Sequence, residues 1–456
     1  MLSNIEFRKY IPSQLKNVSS NHIFLWLILV SSFIVKVIYV FYFTDYKNYL
    51  VTDMGVYWGR AEQRYNGDIF SLWQWSAWAT FFDFYLCFLF KIINILGLME
   101  RKLEVILCLN IIYSTISVYC LYRIATHMFK DLLFPLLVTF FYAFFYPLIY
   151  FNAFVLAENL SIPALIASTY LLFTFPKDKL ILFLSGVFLG LGAGFKPSLV
   201  LIAVPYFIYI VFAKERSLSS LIKGFIFTIG FLLVIFLVVV ENNYISKGEL
   251  KGLAGNGGVS FFIWNCRISF LKSFYQGFHI HIGPPTLVGH PELDQFTTER
   301  PIHGQKYFYQ LGLECLKKKP GLLLEHFKYF PVVFFGPLLP SMLSAWNFVP
   351  LMTISNYVLL FMFLSFGMFY FMIRDDTLTK NKEVLLMAGI LLFIFIPMYI
   401  FGPEQRYIYP GVFAIYLLFF TIISRLKDYK RQTINYCKTI VLVYVLYLLL
   451  HYYLTN

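Results

Sequence analysis

A chain of 456 residues with 59% hydrophobic and 13% charged positions is not a soluble globular domain, which would carry roughly twice that charged fraction. Its formal charge of +13 comes largely from short basic clusters between apolar blocks, the pattern of cytoplasmic loops rather than of a nucleic-acid surface. The blocks run to about 18–25 residues, enough to span hydrocarbon, so the expectation is an all-α polytopic membrane protein.

In chain order, spans are predicted at approximately 23–43, 103–126, 132–151, 158–175, 180–195, 197–213, 219–241, 348–373, 383–402, 408–425 and 434–452. The first is read as an anchor, since no small-residue cleavage site accompanies it. Two further blocks read as interfacial or re-entrant helices. Block 77–97 carries Asp83 and Lys91 and follows Trp73, Trp75 and Trp78; block 325–345 carries His326, Lys328 and Pro331, Pro337 and Pro340. With the N-terminus inside, the basic loops Arg123–Lys130, Lys177–Lys179, Lys214–Lys223, Arg374–Lys382 and Arg425–Lys438 all become cytoplasmic. Counting either doubtful block as a full span breaks that agreement, so about 11 spans plus two membrane-lying elements are expected. Lys36, inside the first span, is expected to snorkel or to pair.

Three regions result: a transmembrane catalytic module, 1–241, that includes the first extracytoplasmic loop 44–102; an extracytoplasmic loop with an interfacial helix, 242–347, whose length suits a cap; and a C-terminal transmembrane module, 348–456. The six cysteines include no CxxC pair and read as small buried hydrophobes or free thiols.

This orientation gathers the chemistry-bearing residues on the extracytoplasmic side. Asp53, in Thr52–Arg60, is a candidate general base or metal ligand, and equally a capping carboxylate for the helix-like run that follows. Glu158 lies between two apolar spans, where an acid is either functional or complements the start of the next helix. Lys196 precedes Pro197, which ends one helix and begins another, and is a candidate cation. Arg406, beside Glu404 and flanked by Tyr407 and Tyr409, suits phosphate because its planar fork makes two charge-assisted bonds. Tyr57, Arg60, Asn256, Glu404 and Tyr407 complete the candidate substrate-binding set. The glycines of Gly252–Gly258 permit tight turns but lack the GK[ST] ending of a nucleotide loop, and no nucleotide site is expected. His279, His281, His290 and His303 read as ordinary loop histidines. Lys317–Pro320 reads as a helix end near lipid headgroups.

The stretches Thr52–Trp58, Ala157–Pro163, Leu189–Pro197, Gly255–Asn265, Tyr309–Pro320 and Pro403–Pro410, in this order, resemble the GT-C glycosyltransferases, nearest the protein O-mannosyltransferase and aminoarabinose-transferase group. Two departures are visible. Asp53 is followed by Met54 where many relatives have a second acid, and Trp73–Trp78 replaces a Lys-Pro-Pro stretch. The resemblance implies a GT-C fold in a plasma (inner) membrane, with an extracytoplasmic site. It implies a polyprenyl-phosphate-linked sugar donor and a glycan, lipid or protein acceptor, with inversion at the anomeric carbon. Asp53 takes the family's catalytic acid, Glu158 a second acid that orients the acceptor or a divalent cation, and Arg406 the late basic residue, with Lys196 as a second phosphate ligand. A ligase or polymerase of lipid-linked glycan, or a flippase, is the competing reading; a transporter needs paired repeats and midplane charges, whereas no clear repeat is evident and the candidate groups cluster at one membrane face, with Lys36 the main exception.

Overall fold

The computed structural model describes residues 19–50, 52–68, 81–212, 217–246, 248, 252–255, 257–266, 305–321, 349–373, 381–401, 407–426, 436 and 438–446. Among these the chain is helical throughout, without a β-strand. Helix α1 (Ser19–Ile38) continues into a π-helical turn, Tyr39–Phe43; α2 (Thr52–Tyr65) and α3 (Phe81–Ile95) follow in the first loop. Next come α4 (Lys102–Met128), α5 (Leu133–Ala143), α6 (Tyr146–Phe151), α7 (Glu158–Thr174), α8 (Lys179–Phe195), a 3-10 turn Pro197–Ile202, α9 (Ala203–Phe212) and α10 (Leu218–Ile245). Then α11 (Gly257–Cys266), α12 (Gln305–Lys318), α13 (Val349–Ile373), α14 (Lys382–Phe401) and α15 (Val412–Leu426) complete the labelled elements.

Among the described residues, four helical stretches are long and apolar enough to cross a membrane: His22–Phe43, Met99–Met128, Leu218–Ile245 and Lys382–Phe401. Shorter apolar helices stand between them, and the chain is a multi-pass membrane protein. Large apolar side chains such as Phe24, Trp26, Leu27, Phe225, Ile229 and Phe236 are exposed on α1 and α10, as lipid-facing surfaces require. The expected span 132–151 is two helices: α5 ends at Ala143 and α6 restarts with a proline in its first turn, Pro147. The expected span 197–213 opens as a 3-10 turn behind Pro197. Block 325–345 lies outside the described residues. Within block 77–97, the described residues include α3, of 15 residues.

Packing between α8 and α10 is close because the contact face of α8 lacks side chains. A Cβ on Gly186 would lie 2.0 Å from the Phe227 carbonyl oxygen, and one on Gly190 2.9 Å from that of Phe231. Between α7 and α8, the Ser168 hydroxyl donates to the Ser185 carbonyl (2.8 Å) and the Ser185 hydroxyl to the Ser168 carbonyl (2.9 Å). Reciprocal bonds of this kind hold helices together where lipid offers no hydrophobic drive. Asp178 caps α8, its carboxylate accepting from the Ile181 amide at 3.1 Å. Since α7 and α8 each have 17 residues and a short reversal joins them, the start of α7 and the end of α8 fall at the same level. Lys36 neither snorkels nor pairs: it is 1% exposed, and no acid among the described residues meets it. Its neighbours on that face, Ser32 and Tyr39, reach the break between α5 and α6, at the Ala143 carbonyl and the Tyr146 hydroxyl.

Candidate functional site

Glu158 and Lys196 meet at the level set by the α7–α8 hairpin. Pro197 cannot donate to the helix, so α8 stops and Lys196 turns extended (φ −134°, ψ 94°). That turn brings Lys196 Nζ 2.8 Å from Glu158 Oε1, with both residues buried. The ammonium also lies 4.4 Å from the centroid of the Tyr407 ring, in cation–π range. Glu158 opens α7, where unpaired amides favour a carboxylate. The turn before it is fastened by two buried asparagines. Asn159 donates to the carbonyls of Phe151 and Phe154 (2.8 Å each), and Asn110 to that of Phe154 (3.0 Å). A small cavity of about 20 Å³, lined in part by Glu158, Ser114, Ser117 and Tyr142, adjoins the carboxylate and has room for one water.

Asp53 sits in the first turn of α2, half-buried, where the capping reading also places it. One turn on, Tyr57 is buried and packs edge-on against Phe82 at 5.0 Å. Phe82, Phe81 and Tyr85 surround Phe195, at 6.3, 5.1 and 5.7 Å. A continuous aromatic wall thus joins the helix that carries Asp53 to the residue before Lys196. Tyr57, expected as a substrate contact, is part of this wall. In the loop before α2, burial pushes the Tyr49 phenol up to about 12, so it stays neutral at ordinary pH.

Arg60 is 2% exposed, and its Nη2 lies 3.2 Å from Asp83 Oδ1. Arg64 donates from Nε to Asp83 Oδ2 at 2.7 Å and pairs through Nη1 with Glu241 Oε1 at 2.9 Å. Two guanidinium groups and two carboxylates therefore gather where α2 and α3 meet the end of α10, with Arg60, Arg64 and Asp83 buried. Arg60, expected as a substrate contact, thus faces Asp83 between α2 and α3. Asp83, which marked block 77–97 as too polar to cross, is the centre of that cluster. Sequence reasoning missed the cluster; the Arg60/Arg64 spacing of one helical turn was its available signal.

Asn256, Glu404 and Arg406 lie outside the described residues, as do Trp73–Trp78 and the loop histidines. The divalent cation expected at Asp53 and Glu158 would have to share Glu158 with Lys196. Glu158 already faces an ammonium, and among the described residues no three His, Cys, Asp or Glu side chains gather to hold a metal. The cysteine reading is also corrected, for Cys266 and Cys315 form a disulfide with Cα atoms 5.3 Å apart. Cys87 and Cys120 are buried free thiols, as expected, whereas the free Cys108 is exposed.

The family model of the dolichyl-phosphate-mannose-protein mannosyltransferases matches residues 86–241, which include both Glu158 and Lys196. The resemblance carried by Ala157–Pro163 and Leu189–Pro197 is borne out there; Asp53 and the late motif stand outside the matched residues. Two solved structures align with most of the chain. Archaeal oligosaccharyltransferase AglB from Archaeoglobus fulgidus, in complex with an inhibitory peptide and a dolichol-phosphate, aligns with 97% of this chain and 55% of its own. The identity is 12% and the TM-score 0.44. The Archaeoglobus fulgidus oligosaccharyltransferase tethered with an acceptor peptide containing the NVT sequon aligns with 95% of this chain and 54% of its own, at 13% identity and a TM-score of 0.44. This chain thus spans about half the length of either. No curated protein matches it in sequence.

Proposed function

We propose that the protein is an integral-membrane glycosyltransferase that moves a sugar from a polyprenyl-phosphate donor to an extracytoplasmic acceptor, with inversion at the anomeric carbon. The observation that carries this is the buried Glu158–Lys196 pair against Tyr407, built at two helix ends inside the segment that the family model matches. A fixed, poorly solvated ammonium suits the oxygen on which negative charge develops as a phosphate departs.

In the reaction, an acceptor hydroxyl attacks the anomeric carbon. Its proton passes to the Asp53 carboxylate, the new C–O bond forms, and the bond from that carbon to the phosphate oxygen breaks with its electron pair. Lys196, oriented by Glu158, stabilises the departing polyprenyl phosphate, and Arg406 serves the same charge. Glu158 acts chiefly by holding Lys196. The energy resides in the donor's glycosyl phosphate, so no nucleotide enters the scheme. The Cys266–Cys315 disulfide supports an extracytoplasmic site, because disulfides persist in oxidising compartments and this one joins two helices of the cap region.

The test is transfer by purified protein in nanodiscs from a panel of labelled polyprenyl-phosphate sugars. Label should leave the donor in wild type and stay on it in Asp53→Asn. A fully active Asp53→Asn removes Asp53 as the base.

A further inference from the structure

Among its described residues, the cap region is attached to the bundle at the end of α10, where Asn242 Nδ2 donates to the Gly252 carbonyl at 2.7 Å, and at the end of α14. Helices α11 and α12 pack as a hairpin around Phe262 and Phe308, whose ring centroids are 5.8 Å apart, and the Cys266–Cys315 disulfide locks them. Gly312 makes the approach feasible: a Cβ there would lie 2.5 Å from Cδ1 of Phe261. The hairpin's outer side meets the last turn of α14. A helix end leaves four carbonyls without partners inside the helix. Two of these are taken by α11: Trp264 Nε1 donates to the Tyr399 carbonyl at 2.8 Å, and Asn265 Nδ2 to the Ile400 carbonyl at 3.1 Å. Phe401, the final residue of α14, lies against Phe261 (5.9 Å) and Tyr309 (6.4 Å), one ring from each helix of the hairpin. Six positions later the chain supplies Tyr407, whose ring faces Lys196.

We infer that Trp264 and Asn265 are positioning residues for the donor-phosphate site. They cap the carbonyls at the end of α14 and so fix the point from which the chain reaches Tyr407 and the Glu158–Lys196 pair. This rests on the donor reading proposed above. The disulfide holds the hairpin in the shape that presents both side chains to α14. The hairpin therefore acts on the phosphate site through the end of α14.

The test is binding of a polyprenyl phosphate and of the matching neutral polyprenol to the full-length protein in detergent, by native mass spectrometry. It compares wild type, Trp264→Phe, Asn265→Ala and wild type treated with a phosphine reductant. Trp264→Phe keeps most of the ring volume and removes the N–H. Loss of one such bond should weaken the phosphate lipid about tenfold and leave the neutral polyprenol unchanged. Reduction of wild type should move affinity the same way, and this arm decides the matter should a variant fail to elute as a folded protein. In the transfer assay, the donor KM should rise with kcat and the acceptor KM held, a split that general destabilisation does not produce. Equal phosphate-lipid binding by all four samples overturns the inference and leaves the donor reading standing. Wild type that binds the neutral polyprenol as well as the phosphate overturns both.

Discussion

Replacing Lys196 with Met isolates the buried pair, because Met keeps the side chain's length and removes its charge. At 2.8 Å and an effective dielectric constant of about 20, the gross attraction between the two charges is about 6 kcal/mol. Most of this is offset by the cost of taking both groups out of water, so the pair's net contribution is small. Removing one partner differs, since the other charge stays buried and uncompensated at a cost of about 3–5 kcal/mol. Glu158 and Lys196 are 4% and 6% exposed, so neither turns outward to recover hydration. Lys196→Met should therefore destabilise the protein by that amount, and Glu158→Gln by less, because a neutral amide can still accept from Lys196. The double variant should recover about 2–3 kcal/mol relative to the sum of the singles. Equilibrium unfolding in detergent, run as a double-mutant cycle, measures this. Additive losses, or a Lys196→Met cost under about 1 kcal/mol, would refute a desolvated, coupled pair.

Four further outcomes are expected. Asp53→Asn should lower transfer by at least about 10²-fold with the elution profile of the purified protein unchanged, the scale of a lost general base. Asp83→Asn should cost about 3–5 kcal/mol in the same unfolding assay, since Arg60 and Arg64 both lose their shared carboxylate; an unshifted transition would deny the cluster. Chelation with EDTA should leave transfer intact, and a loss restored by added divalent cation would show a metal that the described side chains do not suggest. Leu98→Cys, just beyond α3, should react with a membrane-impermeant maleimide added outside intact cells; labelling from the cytoplasm alone would overturn the assigned orientation.

How much of this was legible in the sequence depends on the range of the cause. The break at Lys196 was legible because Pro197 acts on its immediate neighbours. The start of α7 at Glu158 was legible because an acid in a first turn answers local orphan amides, whereas α2 begins at Thr52, ahead of the run expected from Tyr57. The pairing of Glu158 with Lys196 was not, although both were named: their contact follows from two helices of equal length lying antiparallel, a property of the hairpin. The contact of Arg60 with Asp83 was hidden for the same reason. An arginine in a polar loop looks like an anion ligand until a carboxylate 23 positions later, Asp83, folds against it. The disulfide joins cysteines 49 positions apart across the cap loop, and no local pattern announces such a pair. Composition showed a membrane protein plainly, but hydropathy counts blocks and not helices, so the block 132–151 concealed the break between α5 and α6.

The central claim is transfer from a lipid phosphate by a site built on Asp53, Glu158 and Lys196. Its most direct measurement follows a labelled sugar from polyprenyl phosphate to acceptor in nanodiscs, with wild type beside Asp53→Asn and Lys196→Met. The account predicts movement of label and release of free polyprenyl phosphate in wild type, with both lost in Asp53→Asn and strongly reduced in Lys196→Met. Label that stays on every polyprenyl-phosphate donor with wild type, or moves equally well with all three proteins, would contradict it.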